Sequence, residues 1–127
     1  NDGSSNFVRS VQYDNVVSLV PQLIFNNLVG ITSWTEQSIS GAVPTIAIKA
    51  NGIGGLSGAN AQSMAVASDA NALGECPIAG NYASTGIDSW RFTNGWSVFL
   101  TTPQKLWWKA ASADAIYRLE VTGFMLP

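Results

Sequence analysis

The apolar positions of this chain fall in short runs punctuated by turn-forming residues, and the segment from Asp88 to Leu126 shows the pattern best. Two apolar runs flank Asn94-Gly95, a pair suited to the positive backbone angles of a two-residue type I′ turn. Two more flank the small polar stretch Ala111 to Asp114, so the spacing predicts two consecutive antiparallel hairpins. In the first hairpin Thr93 faces Trp96, Arg91 faces Val98 and Trp90 faces Phe99. Both of its faces then carry large apolar side chains, and both need a cover. From Lys105 to Ala111, Leu106, Trp108 and Ala110 alternate with Trp107 and Lys109, which sends the adjacent tryptophans to opposite faces. The final strand is the most regular. Ala115, Tyr117, Leu119 and Val121 point inward, Ile116, Arg118, Glu120 and Thr122 outward, and Gly123 marks a bulge after which Phe124 and Leu126 take the inward direction.

Upstream, residues 7 to 29 are rich in Val, Leu and Ile, with breaks at Asp14-Asn15 and Asn26-Asn27. Pro21 disfavours a long helix and fits an edge or bulged strand, so two short strands are expected, over about 16 to 20 and 23 to 29. Thr32 to Ser40 alternates loosely around Trp34 and Ile39, and Val43 to Ala50 reads as a strand with Ile46 and Ile48 on one face. Between Asn51 and Gly86 small residues dominate. Long packed loops with one short strand near Ser63 to Ala67 are predicted there, because Ser, Asn and Asp compete with helical hydrogen bonds. The sum is an all-β protein, an antiparallel β-sandwich of jelly-roll type with little or no helix. The 127 residues form a single domain preceded by a flexible leader at residues 1 to 6.

Composition narrows the function. Charged residues make up only 11% of the chain, against about 25% in ordinary soluble domains. Solubility therefore rests on Asn, Ser, Thr, Gln and Gly, which suits extracellular or virion proteins and surfaces that pack on identical neighbours. Six scattered basic residues and a net charge of −2 offer no track for a phosphate backbone, so nucleic acid is not an expected partner. No apolar window reaches the roughly 18 to 20 residues of a membrane-spanning helix, and membrane insertion is not expected. The single cysteine, Cys76, excludes an intrachain disulfide and reads as a small buried hydrophobe.

Candidate chemistry follows by elimination. The chain has no histidine and one cysteine, which removes His-based zinc sites and Ser-His-Asp or Cys-His catalysis. The acid pairs Asp69 with Glu75 and Asp88 with Glu120 read as solvated charges, and Asp69-Ala70-Asn71 as a turn, because the rest of a calcium loop is missing. The glycines from Gly52 to Gly55 lack the Lys-Ser/Thr and the helix that phosphate binding needs. No catalytic residue, metal site or cofactor is expected. Binding chemistry remains: an aromatic face covers the apolar side of a sugar ring while planar polar groups bond its hydroxyls. Trp34, Tyr82 and Trp107 are the candidate ligand residues. Trp90, Trp96, Phe99 and Trp108 are the candidate subunit-interface residues, since their apolar surface exceeds what one sheet face covers.

With its Trp-bearing hairpin, its tryptophan-rich strand and the closing sequence Arg118-Leu119-Glu120-Val121-Thr122-Gly123-Phe124, the last third resembles the C-terminal knob domains of tailed-phage fibres and tail needles. That resemblance implies a homotrimeric β-sandwich of jelly-roll or tumour-necrosis-factor-like topology. It further implies a non-enzymatic virion protein at the distal tip of the tail or fibre, attaching to a bacterial surface receptor. The alternatives are a monomeric carbohydrate-binding module of a secreted enzyme or adhesin, and a purely structural capsid or fibre-tip domain.

Overall fold

A computed structural model describes residues 9–57, 62–80, 91–111, 113 and 115–127, with the side chains of 27, 62, 79, 80 and 91–94 excepted. Among these residues there are nine strands: β1 (Ser10–Tyr13), β2 (Val16–Val29), β3 (Thr35–Ser38), β4 (Lys49–Ser57), β5 (Gln62–Ala67), β6 (Cys76–Gly80), β7 (Arg91–Phe99), β8 (Lys105–Ala110) and β9 (Ile116–Met125). Among the described residues there is no helix. Two antiparallel sheets form, in the orders β1-β2-β9-β4-β7 and β3-β8-β5-β6. From β2 onward the chain changes sheet at every connection but the β5-β6 hairpin, which is the double Greek key of a jelly roll. β1 is an added hairpin strand on the five-stranded sheet, and β6 and β7 run side by side at one edge of the sandwich.

Alternation explains the core. In β8, Leu106, Trp108 and Ala110 are buried and Lys105, Trp107 and Lys109 are not; in β9, Tyr117, Leu119 and Val121 are buried, with Ala115 just ahead of the strand. These residues meet Ile39, Val43, Met64, Val66, Ile78, Trp96 and Val98 in one cluster between the sheets. Trp108 is its centre, fully buried, with the ring of Phe25 at 4.7 Å and that of Tyr117 at 5.8 Å. The tilted geometry of both pairs suits the aromatic quadrupoles.

Several expected turns are bulges instead. Asn94-Gly95 is no hairpin: β7 runs straight through it, and between the pairs Gly55–Phe92 and Ile53–Gly95 two β7 residues, Thr93 and Asn94, stand opposite the single β4 residue Gly54. The extra residue sits where positive-angle formers tolerate it. The two-residue hairpin turn lies instead at Asp14-Asn15, where Asp14 has φ 58° and Tyr13 pairs with Val16. Pro21 lies at a bulge, in keeping with the bulged strand expected there, and Asn26-Asn27 at another, so one long β2 replaces the two short strands. At Thr122 to Gly123 the expected bulge in β9 is present, pairing Val121 and Gly123 with consecutive residues of β4. The second expected hairpin is also absent, because β8 and β9 belong to different sheets. Lastly, the strand foreseen over Val43 to Ala50 begins only at Lys49, since Ala47 N–H bonds back to the Pro44 carbonyl and holds a turn.

The low-charge Gly-Ala segment thus supplies the central strand β4. Its glycines permit close packing: a Cβ on Gly52 would lie 1.9 Å from the Glu120 carbonyl oxygen and 2.7 Å from the Trp96 ring. The expected leader at residues 1 to 6 lies outside the described residues.

Candidate functional site

The outer face of the four-stranded sheet is where aromatic and polar side chains converge. β8 sends Lys105, Trp107 and Lys109 outward, and β3 answers with Glu36 opposite Trp107 and Ser38 opposite Lys105. Lys105 Nζ lies 2.7 Å from Glu36 Oε1, an exposed pair of small energetic weight. Lys109 takes another partner. The β3 register, extended by one residue past Thr35, sets Trp34 opposite it, and the ammonium stands 4.9 Å from the Trp34 ring centroid. A cation over an indole face is worth about 0.5–1 kcal/mol at an exposed position and holds both side chains in place.

On the other side of Lys109, β5 presents only Ser63, Ala65 and Ala67 to this face. Ala65 pairs with Lys109 and Pro77, and Ala67 with Trp107. Small residues between taller neighbours leave a trough along β5. It measures about 500 Å³ and is walled by Lys109 and Pro77, with Thr32, Ser63 and Glu75 at its polar rim. That volume falls within the range of small-molecule sites. The loop carrying Glu75 is set by Asp69, whose Oδ1 accepts from Asn71 N (2.8 Å) and Leu73 N (3.1 Å). Asp69 is therefore engaged in building the turn. Ala72 in the same loop has φ 65° and Gly74 φ 64°.

Two of the three candidate ligand residues, Trp34 and Trp107, are half-buried on this one face, on either side of Lys109 in the β3-β8 pairing. Tyr82 lies outside the described residues, as does Trp90 among the candidate interface residues. Trp96 and Trp108 are corrected. Both are within 2% of complete burial in the core of a single chain, so neither has surface to give to a subunit interface. The alternation of their strands points them inward, against Gly52 for Trp96 and between Phe25 and Tyr117 for Trp108. Phe99 is 60% exposed, on the outer face of the five-stranded sheet, with Lys49 Nζ 5.2 Å from its ring centroid. Lys109, Ser63 and Glu75 also line this site, and the sequence reading does not single them out. The signal for Lys109 was its place two residues after Trp107 in an alternating strand; for Ser63 and Glu75, brought close only by the β5-β6 pairing, there was none.

Among the described residues no group of three or more Cys, Asp or Glu side chains converges as a metal site. No helix there is long and apolar enough to cross a membrane. No protein-family model matches the chain, and no curated protein matches its sequence.

Proposed function

We propose that this jelly roll is a non-enzymatic attachment domain of a virion, a homotrimer at the distal tip of a phage fibre or tail needle that binds a receptor on the bacterial surface. The observation that carries the reading is the contrast between the two outer faces. The four-stranded sheet turns outward Trp107, Lys109, Ser63 and Glu36, a surface of recognition type. The five-stranded sheet turns outward Val11, Tyr13, Val20, Leu23 and Phe99, all between 47% and 87% exposed. An antiparallel sheet with one wet face ordinarily carries polar residues there, and a large apolar patch marks an interface.

The size of that patch suits association. With about 100 Å² for a fully exposed aliphatic side chain and about 200 Å² for an aromatic one, the four residues on the neighbouring strands β1 and β2 offer roughly 340 Å² of apolar surface, and Phe99 at the opposite edge about 120 Å² more. A stable interface buries about 800 Å² per partner, of which somewhat more than half is apolar. In the middle of the face Arg118 Nη2 meets Glu120 Oε1 at 2.5 Å, so its central charges compensate each other. Identical copies can then approach without like-charge repulsion across the centre of the contact.

Sedimentation of the purified domain tests the assembly. A trimer is expected, converted to monomer by Leu23→Glu together with Phe99→Glu, with an unchanged melting point of the monomeric fold. A wild-type monomer of 13.4 kDa at micromolar concentration would sink the trimer and favour the carbohydrate-binding module. Adsorption to host cells tests recognition. Trp107→Ala and Tyr82→Ala are expected to abolish it; full adsorption by both variants, still trimeric, would remove the aromatic site.

A further inference from the structure

We infer that the trough over β5 binds an acidic saccharide, with the sugar's carboxylate held by Lys109. The inference rests on the recognition reading above and gives it a ligand class. Among the described residues the cationic side chains of this face are treated differently. Lys105 is neutralised by Glu36 at 2.7 Å, whereas Lys109 makes no ion pair among the described residues and stands over the face of Trp34. The indole holds the ammonium without cancelling its charge, so a full positive charge stands fixed at the wall of the trough. Lysine in this state is a compact donor of up to three charge-assisted hydrogen bonds.

The remaining lining selects a hydroxyl-rich molecule over a simple anion. Ser63 and Thr32 offer hydroxyls that both donate and accept, and Glu75, at the rim opposite the lysine wall, accepts from sugar hydroxyls and repels a second negative charge. A ligand with one carboxylate and several hydroxyls per ring satisfies both ends; a polyphosphate or nucleic acid does not. Trp107, two residues from Lys109 on the same face, lies beside the trough, where an aromatic plane covers the apolar side of a neighbouring ring. Ala65 leaves the floor flat. A larger residue at Ala65, whose side chain points outward opposite Lys109, fills the bottom of the trough.

The probes are tetragalacturonate and sialyllactose, with cellotetraose and lactose as neutral counterparts, titrated against the whole domain by calorimetry. At least one acidic probe is expected to bind, at least tenfold more tightly than its neutral counterpart and more weakly as salt rises. Loss of one charged hydrogen-bond partner corresponds to roughly a tenfold to hundredfold weakening, which is the effect expected of Lys109→Met; Lys109→Arg is expected to keep most of the affinity. Ala65→Leu is expected to block binding while the unfolding transition stays cooperative, at a midpoint lowered by overpacking of this buried position. Equal affinity for neutral and acidic probes, unchanged affinity in Lys109→Met, or no binding of either acidic probe at millimolar concentration would overturn the inference. If the same preparation still adsorbs to host cells, recognition stands and only the ligand class falls. If it does not adsorb, the recognition reading falls with it.

Discussion

Replacing Gly52 with alanine is the sharpest perturbation this fold offers. The residue lies in β4 between β9 and β7, opposite the irregular turn of β9, where the bulge pushes the Glu120 carbonyl into the space a side chain needs. The added methyl carbon would stand 1.9 Å from that oxygen, 2.9 Å from its carbon and 2.7 Å from Trp96 Cζ2. Trp96 is buried at 2% and has nowhere to swing, and the carbonyl belongs to the backbone of a central strand. Relief therefore requires β4 and β9 to separate by more than 1 Å, which combines about 1–3 kcal/mol of overpacking with about 1 kcal/mol for each ladder hydrogen bond weakened. The expected loss is about 3–5 kcal/mol, a large share of the 5–15 kcal/mol typical of a domain. The melting temperature should fall by roughly 10 °C or more. Urea and thermal unfolding read this directly. Gly41→Ala is the control: nothing lies within 4 Å of its added carbon, and a change below about 0.5 kcal/mol is expected. A Gly52→Ala protein within 1 kcal/mol of wild type would refute the close approach of the two strands.

Other substitutions separate the roles of the buried aromatics and the strained loop. Trp108→Ala should cost about 3–5 kcal/mol in urea unfolding, since it empties the centre of the core. Trp96→Phe should cost about 1 kcal/mol or less, because Trp96 Nε1 is buried with no hydrogen-bond partner among the described residues and removing it offsets the lost ring volume. Ala72→Gly should leave stability unchanged or raise it by up to about 1 kcal/mol, as a left-handed conformation strains alanine and not glycine; a loss above 1 kcal/mol in thermal melts would contradict that backbone angle.

Wherever one strand could be judged by its own alternation, the sequence was a good guide. The buried series Leu106, Trp108, Ala110 and Tyr117, Leu119, Val121 and the bulge near Gly123 were all legible, because period-two patterning reports local geometry. Pairing was not. Asn94-Gly95 carries the residue preference of a hairpin turn and of a bulge alike, and only the partner strand β4 decides between them. β4 itself was hidden, since a strand packed tightly on both sides selects glycines that weaken every local strand signal. The same limit explains the candidate site. Trp34 and Trp107 were identifiable as residue types suited to sugars, whereas Trp96 and Trp108, equally aromatic, turned out to be core. Nothing in composition distinguishes them; the direction each strand faces does.

The position of β9 also bears on how the chain is made. It comes after the other eight described strands in the chain, yet it lies between β2 and β4 and pairs with both, so Val16 meets Met125, more than a hundred residues on. Until β9 leaves the ribosome, the five-stranded sheet lacks its middle and the edges of β2 and β4 stand open beside exposed valines and leucines. Such edges template pairing with other chains. The five-stranded sheet therefore completes only after β9 is made, slowed by its non-local pairings, and a chain stopped before Ile116 should aggregate rather than wait partly folded.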